Sequence, residues 1–365
     1  MYKMLTYENP NLVLIAPIET GTVTCKSPSN IAIVKYWGKF GRQMPQNPSI
    51  SLTLDKAYTK TVLKYQPKTN QPLDEISLSF RFEEKENEKF KVKIVKFLES
   101  ITNIFPFLMQ FHFEVDSMNS FPHSSGIASS ASSMSALAMC LCEVESRLFG
   151  TLANKTEFLK KASFVSRLGS GSACRSVYPV AGMWGELGGE DLSSNLYAIP
   201  FEKRLHPVFH TFHDDILIVS KGEKAVSSRA GHALMEGNIY AKNRYEQARN
   251  RTQNLISAFA NGDVEQFGKI AENEALTLHA LMMCSEPSYM LMRPNSMLMI
   301  EKVQAFRADT KLPLYFTLDA GPNLHLLYPD EYVTEIQGFI KSELVPLCEN
   351  EEWIADKVGQ GATFL

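Results

Sequence analysis

Apolar and polar positions alternate along the first part of the chain, which is typical of strands. Between residues 22 and 65 the alternation comes in short runs separated by turn residues. Residues 76–82 place four apolar side chains on one face of a further strand. The charged stretch that follows is predicted to be a solvated hairpin tip, with Lys89, Lys91 and Lys93 on one solvent-facing side of a strand.

Helical spacing replaces this alternation in the middle of the chain. Apolar residues recur every three or four positions from Met134 to Leu148. The spacing predicts a helix that begins near Ser132 and ends at a C-cap glycine, Gly150. A second helix is predicted over residues 156–167.

The second half of the chain begins with a predicted buried strand at residues 214–220. We place a domain boundary just before it, which gives an N-terminal domain of residues 1–205 and a C-terminal domain of residues 206–365. The remaining predicted elements are helices over residues 238–260 and 264–283, strands over 314–318 and 324–328, and a helix over 331–343. Strands and helices mixed in both halves predict an α+β fold rather than a doubly wound parallel sheet.

Composition and charge exclude several classes of protein. The chain has 365 residues, 44% of them hydrophobic and 21% charged, so each half has enough apolar material for a core. A net charge of −3 gives no positive field for nucleic acid or an anionic membrane. The most apolar stretch, Met134–Cys142, is too short to cross a bilayer, and the N-terminal residues do not have the pattern of a signal peptide. A DNA-binding protein, a membrane protein and a secreted scaffold are therefore not expected.

The cysteines indicate a reducing compartment. Six are scattered along the chain without a C-x-x-C pair. This usage predicts free thiols and a cytoplasmic location.

The most informative segment is a loop of small residues, Phe121–Ser133, that leads directly into the first predicted helix. Small residues let a ligand approach the backbone, and a helix N-terminus offers unpaired N–H groups to a phosphate. The loop has neither the Gly-Lys-Ser/Thr ending of a Walker A loop nor a G-x-G-x-x-G fingerprint. Phosphate binding and an ordinary serine-capped helix start both remain open on this segment alone.

Three other segments carry candidate chemistry. Residues 169–176 combine small residues with Arg175, which suits the two oxygens of a carboxylate, although a flexible connection with a surface arginine is the alternative. Asp319 ends an apolar strand and starts the turn Asp319–Asn323, where an aspartate that bonds its own turn is the simpler interpretation. Residues 29–39 place Lys35 and Lys39 around an aromatic pair, which suits a polyanionic ligand.

Taken together, the four segments resemble the mevalonate diphosphate decarboxylase family of the GHMP kinase superfamily. The resemblance runs from about Cys25 to Tyr328 in family order. The motifs N-I-A-x-x-K-Y-W-G-K and G-S-G-S-A-C-R-S are highly specific, D-A-G-P-N supports them, and P-x-x-x-G-x-x-S-S-A identifies the superfamily. Val226–Gly231 is similar to a substrate-contacting stretch of bacterial members. The fold implied has two α+β domains, an N-terminal domain like ribosomal protein S5 domain 2 and a ferredoxin-like C-terminal domain.

The resemblance also implies residue roles. Asp319 would face the 3-hydroxyl of the substrate, Arg175 would hold its carboxylate, and Lys35 would lie near the reacting centre. The residues that would bind the substrate diphosphate are Tyr36, Lys39, Ser170, Gly171, Ser172, Ser228 and Arg229. The residues that would form the ATP phosphate loop are Ser124, Ser125, Gly126, Ala128, Ser129 and Ser130. No direct protein cluster for a metal is implied, and Ser130 would lie close to magnesium.

The implied activity is the ATP- and Mg²⁺-dependent decarboxylation of 5-diphosphomevalonate to isopentenyl diphosphate. The implied partners are this small-molecule substrate and, since family members are often dimers, a second copy of the chain. Two alternatives stay open at this point. One is a relative that acts on mevalonate 5-phosphate, as a decarboxylase or a kinase, and the other is a ligand sensor without catalysis.

Overall fold

The computed structural model describes residues 7–15, 19–69, 72–122, 127–190, 192–222 and 226–365. Up to residue 210, the strands are β1 (Gly21–Ala32), β2 (Lys39–Phe40), β3 (Met44–Pro45), β4 (Ser49–Pro67), β5 (Ser77–Phe82), β6 (Lys85–Glu86), β7 (Phe111–Asn119), β8 (Ala181–Trp184) and β9 (Ile199–Pro200). The helices of this part are α1 (Glu88–Glu99), α2 (Ser129–Phe149) and α3 (Lys155–Gly169).

The elements of the second half complete the fold. The strands are β10 (His213–Leu217), β11 (Tyr315–Thr317), β12 (Leu324–Tyr328), β13 (Trp353–Lys357) and β14 (Thr363–Phe364). The helices are α4 (Ser228–Ala233), α5 (Ala241–Asn261), α6 (Val264–Met283), α7 (Pro294–Thr310) and α8 (Val333–Phe339).

Two main sheets organise these elements. An eight-stranded sheet runs in the order β14-β1-β4-β7-β5-β6, with β8 and β9 continuing from β4. Its pairs are antiparallel except for β5 and β7. A four-stranded antiparallel sheet has the order β11-β12-β10-β13. Helices and sheets are mixed in both halves, which confirms the prediction of an α+β fold.

Apolar packing joins the two sheets. One core cluster brings Ile31 and Leu52 of the large sheet together with Phe212, Phe259 and Phe267 of the second half, all fully or almost fully buried. Asp356 on β13 adds a polar link, because its carboxylate accepts backbone N–H groups of Lys56 and Ala57 in β4 at 2.7 and 2.8 Å. The boundary proposed between residues 205 and 206 stays a prediction, since this cluster continues across it.

The sequence prediction for the segment after β5 is correct for the hairpin turn, which joins β5 to β6, and wrong for the lysines. Glu83 and Glu84 do form a tight turn, with φ values of 50° and 64°. However, Lys89, Lys91 and Lys93 lie in helix α1 and not on a strand. The helix begins there because Asn87 caps it, accepting the Phe90 N–H at 3.0 Å.

The middle helices match their prediction closely. Helix α2 begins at Ser129, three residues before the predicted start, and Gly150 ends it with a φ of 66°.

The cysteines match their prediction as well. All six are free thiols, five of them buried and Cys284 exposed. Within the described residues, no helix is both long and apolar enough to cross a membrane.

Candidate active site

An ion pair between the two halves of the chain lies at the centre of the site. Lys35 follows β1, and Asp319 follows β11. The Lys35 Nζ atom lies 2.9 Å from Oδ1 of Asp319. The lysine side chain is only 2% exposed, whereas the aspartate is 25% exposed. A carboxylate with open access is thus held against a fixed cation, which is a suitable arrangement for orienting a substrate hydroxyl.

The main chain of Lys35 is fixed by side chains from three directions. Its N–H donates to Oε2 of Glu274 on α6 at 2.8 Å. Its carbonyl oxygen accepts from Nδ2 of Asn47 at 3.1 Å and from Nη2 of Arg244 on α5 at 3.2 Å. The position of the ammonium group is therefore set by helices of the second half as well as by β1.

Glu274 is the centre of this support. It is fully buried, and its two oxygens lie 2.5 and 2.6 Å from nitrogens of Arg244, with Arg251 2.6 Å from Oε1. Burial by itself raises the pKa of this carboxyl, but the charges and hydrogen bonds of the two arginines outweigh burial and leave the pKa below its usual value. Glu274 is thus ionised at neutral pH.

Changing Glu274 to glutamine should lower the free energy of unfolding by about 2 kcal/mol, because a buried hydrogen-bonded charge between two arginines is lost. A group whose pKa is depressed by folding stabilises the fold above its unfolded pKa and loses this effect as the pH falls through its folded pKa. The deficit of Glu274→Gln should therefore be full at pH 7 and shrink as the pH drops below the ordinary glutamate range. Urea unfolding at several pH values measures it.

Glu265 provides the control on the same helix. Its pair with Lys269 is exposed on both sides, with 2.6 Å between the charged atoms. Glu265→Gln should change the free energy of unfolding by less than about 0.5 kcal/mol. Equal effects of the two substitutions would contradict the role given to Glu274.

Arg175 is the second buried cation of the site. It ends a short 3₁₀ helix, Gly171–Arg175, and is 2% exposed. Its Nε donates to Oγ of Ser51 at 3.0 Å and to Oδ1 of Asn30 at 3.3 Å, and its Nη1 donates to Oγ of Ser49 at 2.9 Å. All three acceptors are neutral, so the positive charge is oriented by them but not cancelled.

Burial lowers the pKa of Arg175, while the charge of Asp319 acts in the opposite direction. Ser49, which accepts from Arg175, in turn donates to the Val34 carbonyl at 2.6 Å, so one serine links the guanidinium to the residue before Lys35. A carboxylate ligand would therefore meet a pre-oriented cation here.

Tyr36 and the glycine-serine loop form a third part of the site. A Cβ atom at Gly171 would lie 2.8 Å from the Tyr36 hydroxyl and 2.9 Å from the Trp184 ring, so this close approach requires glycine. Among the described residues, the Tyr36 hydroxyl has no hydrogen-bond partner although it is buried. Burial raises the pKa of Tyr36, so the hydroxyl keeps its proton and is a donor for a ligand oxygen.

The start of α2 lies next to this loop. The Oγ atoms of Ser130 and Ser170 are 3.3 Å apart. Ala128 precedes the helix in the left-handed region, with a φ of 48°, and no side chain caps the first turn. The Ala131 N–H donates to the Ala128 carbonyl at 2.7 Å, so at most the N–H groups of Ser129 and Ser130 remain for another acceptor. Ser29 supports the loop, because its Oγ donates to the Ile127 carbonyl at 2.6 Å.

The other predicted residues are placed as follows. The Lys39 ammonium donates to Oε1 of Gln43 at 3.0 Å, and the Ser172 carbonyl accepts from Asn30 at 3.2 Å. Ser228 and Arg229 begin helix α4, but their side chains lie outside the described part of the structure. Three predicted ATP-loop residues, Ser124, Ser125 and Gly126, also lie outside the described residues.

Comparison with known proteins agrees with this arrangement. Residues 27–195 match the family model of the diphosphomevalonate decarboxylase-like N-terminal domain. Residues 215–362 match the model of the mevalonate 5-diphosphate decarboxylase C-terminal domain. Both models match in chain order and together leave few residues outside. The chain belongs to the diphosphomevalonate decarboxylase family.

Individual members of the family are similar along most of their length. The diphosphomevalonate decarboxylase of Ganoderma lucidum is 29% identical over 345 residues, which cover 90% of this chain and 83% of the relative. The enzyme of Debaryomyces hansenii is 28% identical over 330 residues, covering 87% and 82%. The chain thus matches both halves of these decarboxylases.

Solved structures of the family have the same fold. Mevalonate diphosphate decarboxylase from Staphylococcus aureus superposes with a TM-score of 0.79 at 25% identity, covering 95% of this chain and 98% of the other. The corresponding protein from Enterococcus faecalis gives a TM-score of 0.77 at 25% identity, covering 95% and 99%. A family structure in complex with MVAPP, AMPPCP and magnesium gives 0.78 at 25% identity, with the same coverage as the Enterococcus protein.

Sequence reasoning missed the residues that hold the site in place. Glu274, Arg244 and the serines Ser49 and Ser51 belong to no motif quoted above. Charged residues on amphipathic helices are usually solvent-facing, and serines in strands usually carry no function. Glu274 and Arg244 can be recognised only in the folded structure, where they form an ion pair and both bond the main chain of Lys35.

Proposed function

We propose that the chain catalyses the ATP-dependent decarboxylation of (R)-5-diphosphomevalonate to isopentenyl diphosphate, with release of ADP, phosphate and CO₂. The observation that carries this proposal is the Lys35–Asp319 pair at 2.9 Å, together with the buried Arg175, in a chain of this family. A phosphoryl transfer alone needs no dedicated carboxylate site, whereas a decarboxylation does.

Relatives support the substrate and the nucleotide. The structure of the Enterococcus faecalis protein describes an ATP binding mechanism mediated by mevalonate diphosphate. Another family structure contains MVAPP, AMPPCP and magnesium together. For this chain, we therefore propose ATP as the co-substrate and Mg²⁺ as the metal.

Each residue at the substrate has a separate role in the proposed reaction. Asp319 faces the 3-hydroxyl and accepts its hydrogen bond, and Lys35 fixes the carboxylate of Asp319. Arg175 holds the substrate carboxylate with its planar guanidinium. The residues proposed to bind the diphosphate are Tyr36, Lys39, Ser170, Gly171, Ser172, Ser228 and Arg229. The unpartnered hydroxyl of Tyr36 suits this role, because a phosphate oxygen would satisfy it.

The start of α2 fits the phosphates of ATP. The first turn has no capping side chain and no acidic residue, so its N–H groups and positive end suit an anion. We propose that Ser124, Ser125, Gly126, Ala128, Ser129 and Ser130 form the phosphate loop. Within the described residues, no three His, Cys, Asp or Glu side chains are grouped to hold a metal ion. Magnesium fits here through phosphate oxygens and the Ser130 hydroxyl, where it would neutralise phosphate charge.

The chemistry explains why ATP is needed. Hydroxide is a poor leaving group, so a 3-hydroxy acid does not lose CO₂ readily. Phosphorylation of the tertiary hydroxyl supplies a better leaving group, and its departure builds positive charge at C3. Loss of CO₂ then forms the double bond. Binding of the distant diphosphate positions the reacting end and lowers the entropic cost of the reaction.

The test is a comparison of substrates with the purified chain and Mg-ATP. Mevalonate, its 5-phosphate and its 5-diphosphate are incubated separately, and ADP and CO₂ are both measured. We expect equal amounts of ADP and CO₂, with the diphosphate only. ADP without CO₂ would indicate a kinase, preference for the monophosphate would change the substrate, and absence of both products would favour a ligand sensor. A homodimeric state and a cytoplasmic location stay predictions.

A further inference from the structure

A buried histidine lies between two segments that the proposed function assigns to the diphosphate. His232 is on helix α4, the helix that begins with Ser228 and Arg229. Its ring centroid is 4.3 Å from that of Tyr36 and 4.6 Å from that of Trp37. The imidazole therefore packs directly against the segment of residues 35–39.

A hydrogen bond fixes the orientation of this ring. The N–H of Gly38 donates to Nδ1 of His232 at 3.0 Å, and both residues are buried. A backbone N–H can only donate, so Nδ1 must carry a lone pair and the ring proton must be on Nε2. Protonation of Nδ1 would remove the acceptor and leave a buried N–H without a partner.

The environment keeps the ring neutral. Burial lowers the pKa of His232 to about 3, with the positive charge of Lys39 acting in the same direction. The acceptor at Nδ1 is consequently present at every pH at which an enzyme of this kind would work. Direct acid-base catalysis by His232 is not needed to explain its position.

Tight packing on both sides leaves little room for the segment to shift. A Cβ at Gly231 would lie 2.5 Å from the Trp37 ring, so the helix contacts this ring without a spacer. Gly38 has a φ of +93°, and a Cβ there would lie 2.2 Å from the Tyr245 hydroxyl. The Gly38–His232 hydrogen bond is thus a polar link within a close-packed contact between α4 and the segment.

We infer that His232 is a positioning residue for the substrate diphosphate: it holds residues 36–39 against helix α4, so that groups from both segments meet one phosphate chain. The inference rests on the proposed function, because it needs Tyr36 and Lys39 on one side and Ser228 and Arg229 on the other to bind this group. His232 acts through Gly38 and does not contact the substrate.

Two substitutions separate the hydrogen bond from the ring contacts. His232→Phe keeps an aromatic ring next to Tyr36 and Trp37 but leaves the Gly38 N–H without an acceptor. His232→Asn removes the ring but places Oδ1 near the position of Nδ1. Steady-state kinetics with 5-diphosphomevalonate and with ATP are measured for both variants and for the unchanged chain, together with the melting temperature.

We expect His232→Phe to raise KM for 5-diphosphomevalonate about tenfold, because an unsatisfied buried N–H displaces the segment. KM for ATP and kcat should stay within about twofold, since the phosphate loop lies on another element. His232→Asn should restore KM for 5-diphosphomevalonate to within about threefold of the unchanged chain. If the role of His232 were purely structural, His232→Phe would raise KM for ATP as well as KM for 5-diphosphomevalonate. The acceptor oxygen of His232→Asn would then not restore them.

His206 supplies a matched control. Its Nδ1 also accepts a backbone N–H, from Val208 at 3.3 Å, but the residue is exposed and lies outside the site. His206→Phe should leave both KM values unchanged.

The outcomes separate the two proposals. No turnover of 5-diphosphomevalonate by the unchanged chain overturns the proposed function, and the role of His232 with it. If the unchanged chain turns over 5-diphosphomevalonate but His232→Phe has an unaltered KM for it, only the role of His232 is overturned. An equal rise of KM for 5-diphosphomevalonate and of KM for ATP in His232→Phe would also overturn this role. If His232→Phe does not fold, a tenfold rise of KM for 5-diphosphomevalonate in His232→Asn overturns the inference, and a near-normal value supports it.

Discussion

Replacing Asp319 with asparagine should lower kcat for 5-diphosphomevalonate by about a thousandfold, which is within the range for loss of a group that accepts a proton or its hydrogen bond in the transition state. The carboxylate is held 2.9 Å from the Lys35 ammonium and keeps an accessible face. Asparagine retains the size of the side chain and one acceptor oxygen but not the charge, so the substrate hydroxyl loses a group that can take its proton and Lys35 loses its counterion. ADP release under saturating substrate measures the effect.

Nucleotide binding should change little in the same variant. The proposed ATP contacts lie at the start of α2, on a different element from Asp319, so the dissociation constant of a non-hydrolysable ATP analogue should stay within about threefold. Asp330 provides the matched control, because it also pairs with a base, His213 at 2.7 Å, but is 59% exposed. Asp330→Asn should keep full turnover. A kcat above one tenth of the normal value in Asp319→Asn would contradict the assigned role.

The motifs and the periodicity predict different parts of the molecule. Lys35, Arg175 and Asp319 are far apart in sequence, and only the resemblance to a family brings them together before the structure is known. In the structure, Lys35 and Asp319 are in contact, and the charge of Asp319 acts to raise the pKa of Arg175. The motif residues can be predicted because a reaction constrains residue type and spacing at once.

Elements whose apolar pattern is indistinct could not be predicted. Helix α7 has four consecutive apolar residues, 297–300, of which only Met299 and Ile300 are buried, so its sequence does not show one clear face. Helix α1 follows a turn of two glutamates closely, and the spacing of two between its lysines predicts a strand instead. In this case the capping side chain of Asn87 was the signal that could have located the helix start.

The residues that support Lys35 and Arg175, the two cations proposed to be catalytic, are not revealed by sequence alone. Lys35 depends on Glu274 and Arg244, and Arg175 depends on Ser49 and Ser51. These contacts join positions that are between 124 and 239 residues apart in the chain. Each is an ordinary polar residue at its own position, and its role arises only because the folded chain brings it next to Lys35 or Arg175.

Arg175 gives the second large effect, and the substitution that tests it keeps the positive charge. Arg175→Lys should lower kcat/KM for 5-diphosphomevalonate by at least about a hundredfold, which is the size expected when a reacting group is misplaced by about 1 Å. The guanidinium donates to Ser49, Ser51 and Asn30 and is thereby held in one plane. A single ammonium cannot bond these acceptors and also present two parallel N–H groups to a carboxylate.

Burial adds to the loss in Arg175→Lys. It lowers the pKa of the native arginine, which starts from such a high value that the group remains charged. A lysine begins about two units lower, and burial would lower its pKa further, so part of the positive charge would be lost near neutral pH. The remaining activity should therefore fall as the pH rises through the lowered lysine pKa, whereas the unchanged enzyme should not show this loss.

The control for Arg175→Lys is a surface arginine that also donates more than one hydrogen bond. Arg204 forms a two-contact pair with Glu190 and is largely exposed, so Arg204→Lys should leave kcat/KM unchanged. CO₂ and ADP are measured together for both variants over a range of pH. A kcat/KM for Arg175→Lys within threefold of normal would mean that the substrate carboxylate is held elsewhere. The buried guanidinium would then serve only to join β4 to the loop at residues 169–176.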